Sequence, residues 1–334
     1  MEFSPPAGPP ALQPLSLGQL LDRAFRLYRQ HFLSFVGIIA IVQIPAIALQ
    51  AVYVQTLDAT AGGLICLGAL LVMIGAIFSL LGQAALVRSV GLNYLGQACS
   101  FRDAYADIRE RWTSVIGMFL LLGLMVFAIM IGSLVVIIVG WMSMMGMLIY
   151  FSAVVARLAL IVLVLERLGA SDAIWRAWAI GRRRFWWTLG FMFILSILSL
   201  MITAGPSALV TFGLQAASGA TPGSSVLISI AQNSVSALLQ ILYLPLQTAA
   251  LVVMYVDYRV RYEGFDLALQ LEDEIGKPVR PEMALWSVPK TPAQAALTWT
   301  EWAYFVVISI AVFALYFGFV LAIVALMSLL GFPM

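Results

Sequence analysis

Charge is what this sequence has least of. Asp, Glu, Lys and Arg together make up 10% of its 334 residues, where an ordinary soluble domain carries about 25%. A net charge of +2, with no dense basic loop, excludes a surface built to hold nucleic acid. Histidine occurs once, as His31, and one imidazole cannot serve as both acid and base. Cysteine occurs twice, as Cys66 in an apolar run and Cys99 in a loop. This gives no disulfide framework and no cysteine metal cluster, so both read as packing residues. No HExxH, GxSxG, P-loop or GxGxxG pattern sits in a fitting context. No catalytic residue, metal site or cofactor is therefore expected.

What is present is apolar: 63% of the chain. A helix crossing ~30 Å of hydrocarbon needs about 20 apolar residues, and seven such stretches occur. They lie near residues 32–54, 63–88, 114–138, 142–165, 187–204, 228–256 and 303–330. The fold class expected is all-α, a polytopic transmembrane bundle. The fifth stretch decays through Ala204, Gly205 and Pro206 into a Ser- and Gly-rich connection. The Pro-rich start lacks a basic region and a small-residue cleavage site, so the first stretch reads as a retained span.

Lys and Arg accumulate on the cytoplasmic side of membrane proteins. Of the 18 basic residues, every one except Arg157 falls before the first stretch or between stretches two and three, four and five, or six and seven. The alternate connections, 55–62, 139–141 and 205–227, have none. Seven spans then put the N-terminus in the cytoplasm and the C-terminus outside. Trp112, Trp186, Trp187 and Trp302 fall at inner boundaries and Trp141 at an outer one, as amphipathic rings at the headgroup level should.

Three basic segments share a plan in which a short amphipathic stretch with Asp and Arg leads into an outgoing span. They are Leu17–His31, Phe101–Trp112 and Ala170–Phe185, with an echo at Glu263–Ala268. The pattern describes an internal repeat: an interfacial helix, expected to lie in the headgroup plane, followed by a transmembrane hairpin. The domain boundaries follow as a Pro-rich tail (1–16), a six-span membrane domain (17–270), a cytoplasmic linker (271–301) and an added span (302–334).

Three motifs carry a family resemblance. They are Leu17-Gly18-Gln19-Leu20-Leu21-Asp22-Arg23-Ala24-Phe25, Arg157-Leu158-Ala159-Leu160 leading to Leu165-Glu166-Arg167-Leu168-Gly169, and Tyr255-Val256-Asp257-Tyr258-Arg259 continuing to Glu263-Gly264-Phe265-Asp266-Leu267. Over roughly residues 15–270 the chain resembles the glycerophosphoryl diester phosphodiesterase membrane-domain family, without the phosphodiesterase domain. The resemblance implies a multi-pass protein of a prokaryotic plasma membrane with no assigned reaction.

Polar residues within the spans are the candidates for a site. Arg157 lies eight residues, about 12 Å of helix, before the end of its span, and an intramembrane charge costs roughly 2.5–3.5 kcal/mol on insertion scales. Asp257 is its first candidate partner and Glu166 its second; a structural ion pair and an anion or lipid-headgroup contact are both open readings. Gln232, Ser236, Gln240, Tyr243 and Gln247 recur every three or four residues, a single helix face expected to point into the bundle. Pro45 and Pro245 are expected to kink the first and sixth spans. Met142, Met144, Met145 and Met147 cluster near the third turn. With no His or Cys beside them they read as apolar filling rather than a copper site. The partners expected are the lipid bilayer and other membrane proteins, not nucleic acid. Two functions stay open: a non-catalytic scaffold or lipid-contacting protein, and a transporter for a small polar molecule or lipid.

Overall fold

The computed structural model describes residues 13–56, 62–135, 137–218, 224–267, 269, 281–286 and 297–329. Residues 1–12 of the tail, Lys277, Arg280 and Lys290 of the linker, and the side chain of Cys66 lie outside the described residues. The described elements are helical: α1 (Leu17–Gln30), α2 (Phe32–Thr56), α3 (Gly62–Tyr94), α4 (Phe101–Val135) and α5 (Ile137–Tyr150). A π-helical turn (Phe151–Val155) leads into α6 (Ala156–Leu165), followed by α7 (Ala170–Arg183), α8 (Phe185–Ser218), α9 (Ser224–Glu263), α10 (Pro281–Trp286) and α11 (Trp299–Leu329). Among the described residues, six helices are long and apolar enough to cross a membrane. A seventh span results if α1 and α2, bent by 79° at His31, are counted together.

Three antiparallel hairpins organise the bundle: α2 with α3, α4 with α5 and α6, and α8 with α9. In each, the second helix runs toward one common end, where most of the described acidic side chains and their arginine partners gather. The second helices also form the core. Within the spanning windows, 67% of α5–α6 and 67% of α9 is buried, against 11% of α4, 28% of α8 and 11% of α11. Each of these returning helices stops at a left-handed residue shortly after its last turn: Gly96 (φ 80°), Arg167 (φ 55°) and Gly264 (φ 63°). Glycine adopts that conformation without cost. At Arg167 the side chain must be held by other means, described below.

Three helices that begin at the charged end, α1, α4 and α11, share a capping device, whereas α7 begins at Gly169 without one. Ser16 Oγ accepts from Gln19 N while Ser16 N donates to Gln19 Oε1. Ser100 and Asp103 exchange the equivalent bonds. Thr298 N donates to Glu301 Oε2 at 2.8 Å. A short side chain followed three residues later by an acid or amide satisfies backbone donors that the first turn leaves open.

Two expectations change here. The fifth span does not end at Gly205 or Pro206, because α8 continues to Ser218. Proline removes one backbone bond, but in apolar surroundings the remaining ones are too valuable to abandon. Thr203, Ser207 and Thr211 hydroxyls donate to the carbonyls of Ser199, Ala204 and Ser207 through the same stretch. Of the three segments expected to lie flat across the end, Leu17–His31 and Ala170–Phe185 fold back along the bundle, while Phe101–Trp112 runs straight on as the first turns of α4. Leu15 bonds Asp257 while Tyr28 donates to the Leu242 carbonyl, so α1 follows about 22 Å of α9. Similarly α7 returns along α6, where a Cβ at Gly181 would sit 3.3 Å from Val154. Their apolar faces, Leu20, Ala24 and Leu27 in α1 and Ala173, Ala177 and Ile180 in α7, are buried against protein.

Helix α11 docks on α5 through a close backbone approach at Gly146. A Cβ on Gly146 would overlap the Phe305 carbonyl, and Gly146 N donates to Ser309 Oγ at 2.8 Å. Gly146→Val is therefore expected to cost about 1–3 kcal/mol by overpacking. Gly123→Val, whose Cβ meets nothing within 4 Å, should be near neutral. Thermal unfolding of both variants in the same detergent checks the difference.

Candidate functional site

The charged end has a buried cluster of ions, Arg88, Glu166, Arg176, Asp257, Arg259 and Glu301 among them, inside a rim of exposed charges such as Arg102, Arg109, Glu110 and Arg183. Glu166, 3% exposed, receives Arg176 Nε at 3.1 Å and the Tyr255 hydroxyl. Arg176 Nη2 also donates to Glu263 at 2.7 Å, and Glu263 takes Arg259 Nε at 3.0 Å. Arg259 Nη1 continues to the Leu285 carbonyl of α10 at 2.8 Å. Two carboxylates thus face two guanidinium groups, joining α6, α7, α9 and the linker. Burial alone would lower the Arg176 pKa, but Glu166 and Glu263 outweigh it and hold the value above the ordinary one.

A second cluster joins Arg88 to Asp107 at 3.2 Å and Asp107 to Arg167. The Arg167 guanidinium also lies 4.3 Å from the centre of the Trp286 ring. These contacts explain a non-glycine residue at a left-handed position, since the strain there is offset by an ion pair and a cation–π contact. Asp257 holds Arg261 Nε at 2.7 Å and the Leu15 backbone N–H at 2.7 Å. Arg182 and Glu301 pair at 2.7 Å, tying α7 to α11.

No family model, curated protein or solved structure matches the chain. The family resemblance therefore rests on its motifs alone. Two of those motifs meet in space: Glu166 and Arg167 from one, and Tyr255, Asp257, Arg259 and Glu263 from the other, supply most of the ion layer.

The structure gives both expected partners of Arg157 to other groups. Asp257 is engaged by Arg261 and Leu15, and Glu166 by Arg176 and Tyr255. Glu166 lies nine residues from Arg157 on the same run of chain, about 13 Å of helix, which places it in the ion layer. Among the described residues Arg157 makes no hydrogen bond or ion pair, and its Nη1 is buried without a partner. The group close enough to act on its charge is Tyr243, whose hydroxyl donates to the Leu195 carbonyl. Arg157 is the second residue of α6, directly after the π-helical turn Phe151–Val155. Such turns shift the register of the side chains that follow and recur at functional sites. Sequence reasoning missed that turn, which carries no proline or glycine to announce it.

The polar face of α9 also differs from expectation. Tyr243 is 2% exposed and buried, and Ser236 and Gln247 are half-buried, but Gln232 and Gln240 are exposed. The face is thus only partly enclosed, because toward its N-terminal half α9 loses the neighbours that bury it near the charged end. A polar chain runs from Gln83 Nε2 to Ser79 Oγ at 3.4 Å and from Ser79 Oγ to Gln43 Oε1 at 3.4 Å, linking α3 to α2. Among the described residues no group of three or more His, Cys, Asp or Glu side chains could hold a metal ion.

Removing one partner from a buried charge network strands the other in a medium that cannot solvate it. Glu166→Gln is expected to destabilise the protein by about 3–5 kcal/mol. Tyr255→Phe, which removes a single hydroxyl donor, should cost about 1–3 kcal/mol. Chemical denaturation of both variants in one detergent measures the ratio.

Proposed function

We propose that this chain is a non-catalytic, multi-pass protein of a prokaryotic plasma membrane that binds an anionic lipid headgroup at Arg157. The observation that carries the reading is the guanidinium without a protein partner in an apolar helix. Such a group keeps five N–H donors, the two on Nη1 buried and unbonded, and a phosphate matches its fork geometry. The remaining features support it. The π-helical turn sets the direction of Arg157, and Gln240, about one turn before Tyr243 on α9, offers an exposed amide on the same stretch of helix. Neither a histidine nor a pair of facing carboxylates accompanies Arg157, so the proposed role is binding rather than catalysis.

A second reading, a scaffold that docks another membrane protein, draws on one observation. Gln232 and Gln240 are exposed within an apolar helix, and lipid tails cannot satisfy amides. A partner helix could.

Protein purified in nanodiscs made from native membrane should retain anionic phospholipid, read by mass spectrometry of extracted lipid. Arg157→Gln should lower that retention about tenfold, a loss of 1.4 kcal/mol, and Arg157→Lys should restore part of it. Retention unchanged in Arg157→Gln, or a stoichiometric partner protein in place of the lipid, would overturn the lipid reading. The basic end is proposed to face the cytoplasm. In a chain lacking Cys66 and Cys99, a single cysteine at Arg184 should resist impermeant maleimide in intact spheroplasts and react after lysis. Reaction in intact cells would reverse the orientation.

A further inference from the structure

A cavity of about 610 Å³ lies between α4, α5, α7 and α11, and no charged side chain lines it. Along α4 it extends from Leu121 to Ser133, about 18 Å of helix, which is more than half of a ~30 Å hydrocarbon core. Its volume falls within the roughly 300–1,000 Å³ of small-molecule sites. The hollow exists because its far end is walled by small residues. Gly132, Ser133, Gly140 and Ser143 bring α4 and α5 together so closely that a Cβ on Gly140 would sit 2.7 Å from the Ser133 carbonyl.

The polar atoms in that wall are already used. Ser133 Oγ donates to the Met130 carbonyl at 2.6 Å and lies 2.9 Å from Met144 Sδ. Ser143 Oγ donates to the Gly140 carbonyl at 3.3 Å. An occupant therefore meets no free donor or acceptor along the depth of the cavity, only Leu, Ile, Phe and thioether surface. That excludes a polar solute, and in a membrane the abundant apolar solute of this length is a lipid tail. The end toward the charged layer is different. There Trp175, 55% exposed, stands with Trp302 and Ser171, indoles and a hydroxyl of the kind that favour the ester and headgroup level.

We infer that this cavity holds one acyl chain of a membrane phospholipid, with its ester end beside Trp175 and Trp302. Helix α11 then has a structural purpose, because Trp302 and Leu297 complete a wall that the six-span domain leaves open. The methionines at the third turn have one as well. Met144 and Met147 line the cavity, where a flexible thioether adapts to a mobile tail. The inference does not depend on headgroup charge, so it stands or falls apart from the reading of Arg157.

The test uses the full chain in phosphatidylcholine vesicles containing a small fraction of phosphatidylcholine with a diazirine midway along one acyl chain. After photolysis, label should concentrate on the peptides holding Met125–Ser133 and Gly140–Met147 and be competed by unlabelled lipid. Gly132→Phe projects into the cavity from a position where a Cβ meets nothing within 4 Å, and it should reduce that labelling about tenfold. Ala128→Phe on the same wall should do the same. Gly123→Phe, equally unhindered but outside the cavity, and Arg157→Gln should leave it unchanged. Label spread evenly over the exposed faces of α4, α8 and α11, no label on the cavity peptides, or labelling that survives both filling variants would each overturn the inference.

Discussion

The buried quartet of Glu166, Arg176, Arg259 and Glu263 is the constraint on which the rest of this structure depends. Charges cost several kcal/mol each to take out of water, and only close pairing with saturated hydrogen bonding recovers that cost. Here the pairing is balanced, two acids against two bases, and Tyr255 fills a remaining acceptor of Glu166. Because the four groups come from α6, α7 and α9, their pairing sets where two core helices end. It also holds α7 against α6. Through Arg259 and the Leu285 carbonyl it anchors the described part of the linker as well, so that segment packs on the bundle instead of merely spanning to α11.

This saturation isolates Arg157. Were Asp257 or Glu166 free, Arg157 could be read as one more structural pair. Both are committed to partners that sit beside them in sequence or in the ion layer, leaving a cation in an apolar helix with Tyr243 as its neighbour. Two uses of charge are thus separate. The quartet is internally neutral and builds the end of the bundle. Arg157 is a guanidinium within a spanning helix, following a π-helical turn, with no hydrogen bond or ion pair among the described residues, and the proposed anionic headgroup would match it.

Much of the fold was legible because membrane helices obey few rules. Length, apolarity and the one-sided placement of arginine gave the spanning stretches and a shared charged end, and each described stretch is helical. The fifth boundary failed because Gly205 and Pro206 break helices in water, whereas in an apolar setting the surrounding backbone bonds and hydroxyl back-bonding keep α8 going. The direction of α1 and α7 was not legible for a related reason. An amphipathic face says that something apolar covers it, not whether that is lipid or α9. Arg157 stood out in the sequence, but its partners could not be assigned, since pairing depends on how α6, α7 and α9 meet. The π-helical turn has no composition signature. The cavity beside α11 arises from glycines whose packing role looked uniform in sequence and proves local in space.

The most direct measurement is a solid-state NMR experiment on full-length protein in lipid, dephasing the guanidinium carbon of Arg157 with lipid phosphorus. Selective assignment comes from comparison with Arg157→Gln. The account predicts a through-space phosphorus contact at Arg157 that is absent in the variant and absent for Arg176 and Arg259, whose partners are carboxylates. A guanidinium at Arg157 without a phosphorus contact, or one in contact with a protein carboxylate, would contradict it.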